Sequence, residues 1–134
     1  MLALAAFFLI YVTWAVVSGW AWRQVRGFVD ATPSIADEEC LNRFKRMVRT
    51  QMYLALWVIV WLGLGMFAGI GVITNHGLPG FLLVIVVNGA VIAIGLFYRR
   101  TELRSRSVPA ATESLATEYR RVSEAWVKKP LPNF

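Results

Sequence analysis

Charged side chains are missing from two long stretches of this sequence, residues 1–22 and 50–98. Charged residues make up only 16% of the chain and hydrophobic residues make up 57%. A soluble domain carries about 25% charged residues, so this chain has more apolar surface than a small soluble core accounts for. An ordinary soluble enzyme and a disordered chain are therefore excluded. The composition predicts an integral membrane protein.

Residues that usually carry chemistry are also scarce. Cys40 is the only cysteine and His76 the only histidine, which excludes an internal disulfide and a metal site built from several Cys and His ligands. The sequence contains no phosphate-binding loop and no nucleophile–base pair, so we expect no enzyme activity. His76 is a weak candidate for binding a cofactor, and a bis-His haem would need its second ligand from another chain.

The charge-free stretches are long enough for three membrane spans, because a spanning helix needs about 20 apolar residues. We predict spans at 2–22, 51–73 and 79–98. An outer turn at 74–80 joins the last two and contains Gly and Pro but neither Lys nor Arg. The positive-inside rule then places the inner loop 23–50 and the C-terminus in the cytoplasm and the N-terminus outside. The predicted location is the plasma membrane, the inner membrane or an equivalent energy-converting membrane.

The predicted fold class is an all-α integral membrane protein, with a three-span domain at 1–106 and a cytoplasmic tail at 107–134. Helix 1 is expected to continue past the membrane to about Val29, and helix 2 to begin near Ser34, with Thr32 or Ser34 as its cap. These two helices would form a long antiparallel hairpin that extends into the cytoplasm. Helix 3 is expected to continue to Ser105. Aromatic residues, whose rings prefer the membrane interface, cluster at the inner boundary: Trp20, Trp22, Tyr53, Phe97 and Tyr98.

The tail is predicted to contain an amphipathic helix with a narrow apolar stripe. The stripe consists of Leu115, Tyr119, Val122 and Trp126, at spacings of four, three and four. It can lie on the inner leaflet near anionic headgroups, or pack on a protein, which includes this chain's own inner hairpin. Acids interrupt the basic face of the helix, and this favours packing on protein.

Small residues indicate where membrane helices meet, because helix association in lipid depends on close packing. The candidate faces for contact within the chain or with a partner are Ala15 with Gly19, Gly65 with Gly69, and Gly89 with Ala93. Asn88 is the one amide in the third span, and an unpaired amide in hydrocarbon costs several kcal/mol. We therefore expect it to pair with Tyr11 or Thr13, which lie at similar depth. The spans contain no ionisable group of the kind that ion-coupled carriers use.

These features favour a non-catalytic accessory or assembly subunit of a larger membrane complex, of respiratory or photosynthetic type. The three-span outline with a basic inner C-terminus is similar to phage holins, which implies a self-assembling pore as an alternative. Three-span anchor subunits of complex II type are similar in size, which implies a quinone- or haem-associated anchor, but those anchors hold haem with histidines inside their helices. No cofactor is predicted, although contact with lipid, quinone or pigment stays open. The expected partners are other membrane subunits, in a hetero- or homo-oligomer, and the bilayer; nucleic acid is not expected.

Overall fold

The computed structural model describes residues 1–129, 131 and 132, and this part of the chain forms three helices. α1 spans Leu2–Ala31, α2 spans Glu38–Ser105 and α3 spans Glu113–Lys128. The described residues form no strand, so the all-α prediction is confirmed. α1 ends two residues beyond the predicted end of helix 1 at about Val29, and the predicted end of the third helical span at Ser105 is confirmed. α1 and α2 are both long and apolar enough to cross a membrane. Only 11% of the most apolar stretch of α1 and 6% of that of α2 is buried, which leaves their apolar side chains exposed.

α2 is interrupted at Gly77, whose backbone has φ 59° and ψ −134°. Side chains other than hydrogen are strained at such angles, so glycine is required here. A β-carbon at Gly69 would lie 3.5 Å from the methyl groups of Val84. Fifteen residues of straight helix would separate two such positions by about 22 Å. The two parts of α2, residues 38–76 and 78–105, therefore pack against each other instead of continuing as one rod.

The predicted turn at 74–80 is wrong in its extent. Residues on both sides of Gly77 keep helical structure, so a single residue makes the break. Pro79 is compatible with this arrangement because it lies in the first turn of the new helical part, where its missing N–H would have no partner in any case. Gly80 allows the close approach of the two parts, since a β-carbon there would lie 2.6 Å from the carbonyl oxygen of Val72.

Two compact units divide the chain. Unit 1 comprises Met1–Trp20 and Trp57–Arg99, and unit 2 comprises Ala21–Leu56 and Arg100–Phe134. In unit 1, Phe7 is fully buried and its ring centroid lies 4.7 Å from that of Tyr11. Most other large apolar side chains of unit 1 are exposed, as expected for helices surrounded by lipid.

Unit 2 has an aromatic core centred on the fully buried side chain of Phe44. Its ring centroid lies 5.5 Å from Phe28 of α1, 4.7 Å from Tyr119 of α3 and 6.4 Å from Trp126 of α3. The side chain of Val122, also in α3, is fully buried as well. The apolar stripe of the tail thus packs on this chain's own helices.

α2 begins at Glu38, four residues later than predicted, and the predicted caps Thr32 and Ser34 are wrong. Asp37 is the N-cap, and its Oδ1 accepts a hydrogen bond of 2.8 Å from the backbone N–H of Cys40. This bond lowers the pKa of Asp37, because it stabilises the carboxylate. Acids in the first turn also suit the helix dipole.

A short backbone pairing explains the late start of α2. The N–H of Ile35 donates to the carbonyl of Pro109 at 2.8 Å, and the N–H of Ala111 donates to the carbonyl of Ile35 at 3.0 Å. Ile35 is fully buried. Because these bonds hold Ile35 in an isolated parallel bridge, the helix cannot begin before it.

Candidate functional site

Gly65 lies at a close contact between α1 and both parts of α2 in unit 1. A β-carbon at Gly65 would lie 2.9 Å from Tyr11 Oη and 3.1 Å from Tyr11 Cζ. Tyr11 Oη donates a hydrogen bond of 2.9 Å to Asn88 Oδ1, and Asn88 Nδ2 donates to the carbonyl of Val84 at 2.8 Å. Tyr11 is one of the two partners predicted for Asn88, so this amide is satisfied inside the chain.

Gly69, one turn further along α2, also faces the chain's own helices. A β-carbon there would lie 3.5 Å from Val84 and 3.6 Å from Phe7, which are ordinary van der Waals distances. Both Gly65 and Gly69 are buried. This GxxxG face is therefore occupied by internal contacts and does not offer a free surface to a partner.

The other small residues singled out from the sequence are exposed. Ala15 and Gly19 lie on the surface of α1, and Gly89 and Ala93 lie on the surface of the second part of α2. No described atom lies within 4 Å of a β-carbon placed at Gly19 or Gly89. These positions leave room for another helix to approach closely.

A small cavity in unit 1 adjoins Tyr11. Its volume is about 10 Å³, which is the size of one water molecule and too small for a quinone or haem ring. The indole N–H of Trp14 is buried here and has no hydrogen-bond partner among the described residues. A water in this cavity could accept that N–H. The lining residues are Ile10, Tyr11, Trp14, Trp61, Leu62 and Val91.

His76 is exposed directly before the break at Gly77. Within the described part of the chain, no group of three or more His, Cys, Asp or Glu side chains is placed to hold a metal ion. His76 thus belongs to no such group of described side chains, and Cys40 lies in the first turns of α2 as a free thiol.

Two hydrogen bonds in unit 2 bring the ends of the charge-free stretches to one level. Gln51 Nε2 donates to the carbonyl of Ala21 at 3.1 Å, and Trp22 Nε1 donates to Thr101 Oγ1 at 3.2 Å. Trp22 ends the first charge-free stretch, Gln51 lies at the start of the second, and Thr101 follows its end by three residues. The change from apolar to charged sequence therefore occurs within about one helical turn at all three places. Periodicity alone could not show this alignment, because it depends on contacts between distant residues.

Polar contacts fasten α3 to the rest of unit 2. Lys45 Nζ lies 2.8 Å from Glu118 Oε1, and both side chains are about three-quarters buried. Tyr119 Oη donates to the carbonyl of Ser105 at 2.5 Å and accepts a bond of 3.2 Å from the N–H of Val108. Burial raises the pKa of Tyr119, so its hydroxyl stays protonated and able to donate at neutral pH. Sequence patterns could not single out Lys45, Glu118 and Ser105, since only the folded chain brings them together.

Acid is expected to weaken the attachment of α3 through Glu118. The hydrogen bond from Lys45, with a smaller contribution from Arg121, lowers the pKa of Glu118 below its ordinary value of 4.5. A lowered folded-state pKa means that Glu118 stabilises the fold above its unfolded pKa, and that this contribution disappears as the pH falls through the folded pKa. The thermal midpoint of wild type should thus exceed that of Glu118→Gln at about pH 7, and the difference should shrink as the pH is lowered below 4.5.

Glu113→Gln is the matched control for this experiment, because it removes the same charge from α3 at an exposed position. The difference in thermal midpoint between wild type and Glu113→Gln should not show the pH dependence expected for Glu118→Gln. A constant difference between wild type and Glu118→Gln across the whole range would contradict the role of the Lys45–Glu118 pair.

No family model matches the chain, and no characterised protein or solved structure is significantly similar to it. The class that the fold supports is an all-helical protein with two helices long and apolar enough to cross a membrane.

Proposed function

We propose that this chain is a three-span membrane protein that holds other subunits of a larger membrane complex and carries out no catalysis of its own. The three spans correspond to α1 and to the two parts of α2 on either side of Gly77. The alignment of Trp22, Gln51 and Thr101 supports this topology, because a single membrane boundary then serves all three helices. With the basic residues of unit 2 on the cytoplasmic side, the N-terminus and Gly77 lie outside. The hairpin of helices 1 and 2 then extends into the cytoplasm.

The observation that carries the partner-holding role is the exposed pair Gly89 and Ala93. By contrast, the GxxxG face at Gly65 and Gly69 is covered by Tyr11, Phe7 and Val84 of this chain. Gly89 and Ala93 are one turn apart, and no described atom fills the space beside Gly89. In lipid, exposed small residues let a second helix backbone approach closely, and this closeness is what stabilises the contact. The partner is proposed to be a transmembrane helix of another subunit, in a complex of the respiratory or photosynthetic type.

The apolar stripe of the tail does not take part in this proposal. Leu115, Tyr119, Val122 and Trp126 were candidates for contact with a partner, but Tyr119 and Val122 are buried against this chain, and Trp126 contacts Phe44. A stripe that covers the chain's own core is not available to another subunit. Substitutions in this stripe are therefore expected to affect assembly only indirectly, through the stability of unit 2.

Native mass spectrometry of the protein extracted from its own membranes in mild detergent tests the proposal. We expect a set of different subunits with wild type, and a loss of about tenfold or more in recovered complex with Gly89→Leu, because a bulky side chain separates the helices. Gly95→Leu is the matched control, since this glycine is also open to the surroundings but lies on another side of the same helix. Equal recovery with both variants would contradict the proposed face. Recovery of a homo-oligomer alone would favour a self-assembling pore instead.

A further inference from the structure

The basic side chains of unit 2 fall into two groups, according to whether they have an acidic partner. Six of them lie within 4.0 Å of a carboxylate oxygen. This paired group consists of Arg26, Arg43, Lys45, Arg106, Arg121 and Lys128. Local acids therefore already compensate their charge.

A second group has no acid within 4.0 Å in the described chain and lies close to the ends of the charge-free stretches. We name this group the boundary arginines: Arg23, Arg46, Arg49, Arg100 and Arg104. All five are exposed. Arg120 and Lys129 also have no such partner, but they lie on or directly after α3, away from these ends in sequence.

The hydrogen bonds of Gln51 and Trp22 place boundary arginines of different helices at similar positions along the helix axes. Gln51 bonds to Ala21, two residues before Arg23, and Trp22 bonds to Thr101, the residue after Arg100. Arg49 lies two residues before Gln51, so at least one arginine from each of the three chain segments lies within about one helical turn of the same level. Residues three or four apart share a helix side, so Arg46 lies with Arg49 and Arg104 lies with Arg100.

The boundary arginines place five positive charges without an acidic partner near the ends of the charge-free stretches, and such a concentration of charge attracts anions. Like charges repel over distances up to the Debye length, about 8 Å at physiological ionic strength. Tyr53 lies two residues after Gln51, inside the second charge-free stretch, and its side chain is half-exposed. Amphipathic rings of this kind are common at a membrane interface. The level of the boundary arginines is thus the level of lipid headgroups if the charge-free stretches lie in the hydrocarbon. Guanidinium groups bind phosphate oxygens with two parallel hydrogen bonds.

We propose that the boundary arginines form a binding surface for anionic phospholipid headgroups, of the phosphatidylglycerol class. The paired group takes no part, because its charge is met by carboxylates within the protein. The surface is selective for lipid over a soluble anion, since the apolar part of a lipid also contacts the half-exposed ring of Tyr53 in the same unit. It rests on the membrane location of the chain and is independent of any partner subunit.

Native mass spectrometry of the purified protein in neutral detergent, titrated with phosphatidylglycerol or phosphatidylcholine, tests this surface. The test variant carries Arg23→Gln, Arg49→Gln and Arg100→Gln. The control variant carries Arg26→Gln, Arg43→Gln and Arg121→Gln, which removes the same net charge from side chains that are 60%, 61% and 62% exposed. We expect phosphatidylglycerol to bind the test variant between about tenfold and a hundredfold more weakly than wild type, and the control variant to change by less than about threefold.

Three results would overturn the proposal. The first is an equal loss of affinity in both variants, which would show that net charge alone matters. The second is equal binding of phosphatidylglycerol and phosphatidylcholine by wild type. The third is binding of soluble glycerol phosphate as tight as that of phosphatidylglycerol, which would identify the surface as a site for a soluble anion. Circular dichroism of both variants establishes that each has kept its helix content, so a loss of fold is recognised separately.

Discussion

Replacement of Phe44 by alanine is expected to release α3 from unit 2. Phe44 is fully buried and its ring contacts aromatic side chains of both α1 and α3. Phe→Ala changes in protein cores cost about 3–5 kcal/mol, because the removed ring leaves a cavity. Phe44 is the largest fully buried side chain among the described residues of unit 2, and a loss of this size is a large part of the net stability of a typical domain. Hydrogen exchange of the α3 amides, residues 113–128, should accelerate strongly in Phe44→Ala.

Phe67→Ala is the matched control for this prediction. The Phe67 side chain is 80% exposed in unit 1, so its removal leaves no cavity. The exchange rates of α3 amides in this variant should equal those of wild type. If the α3 amides of Phe44→Ala remain as protected as in wild type, then the aromatic core does not hold α3 in place.

Gly80→Ala is expected to force apart the two parts of α2 near the break. A β-carbon at Gly80 would lie 2.6 Å from the carbonyl oxygen of Val72 and 3.1 Å from the Cβ of His76. Backbone atoms cannot rotate out of the way, so the helices themselves must shift. Overpacking of this kind costs about 1–3 kcal/mol or more. We expect a clear fall in the thermal midpoint of the detergent-solubilised protein and in the yield of monodisperse material.

Gly63→Ala separates this steric effect from the general effect of alanine in a helix. Nothing lies within 4 Å of a β-carbon at Gly63, in the first part of the same helix. Alanine favours helix over glycine by about 1 kcal/mol, so this variant should be as stable as wild type or more stable. A midpoint for Gly80→Ala as high as that of Gly63→Ala would contradict the close approach at Val72.

Local sequence patterns were sufficient to predict the helices. Apolar runs and spacings predicted α1, the long second helix and the amphipathic α3, and Gly77 fell within the predicted turn. The start of α2 was predicted wrongly, because the bridge from Ile35 to Pro109 and Ala111 joins residues that are distant in sequence. Cap propensity favoured Thr32 or Ser34, but this tertiary pairing prevents a helix there, and Asp37 takes over as the cap.

Prediction of the contacts succeeded where chemistry left few choices. Asn88 needed a partner at its depth, and Tyr11 was one of two candidates. The pattern of small residues did not indicate which helix each of them contacts. Gly65 and Gly69 face the chain's own helices, whereas Gly89 and Ala93 are exposed, although both are pairs of small residues four positions apart. The Lys45–Glu118 pair was also out of reach, since side chains on separate helices can pair in many combinations.

The bridge at Ile35 also sets an order of events during synthesis. Its partners Pro109 and Ala111 leave the ribosome long after Ile35 itself, and α3 follows them. Until then Ile35 lacks its backbone partners and the Phe44 ring lacks its contacts with Tyr119 and Trp126, so unit 2 stays incomplete. Residues 109–128 therefore close unit 2, and a ribosome that stops before Pro109 would release a chain whose aromatic surface is not covered by α3 and that quality-control proteases can recognise.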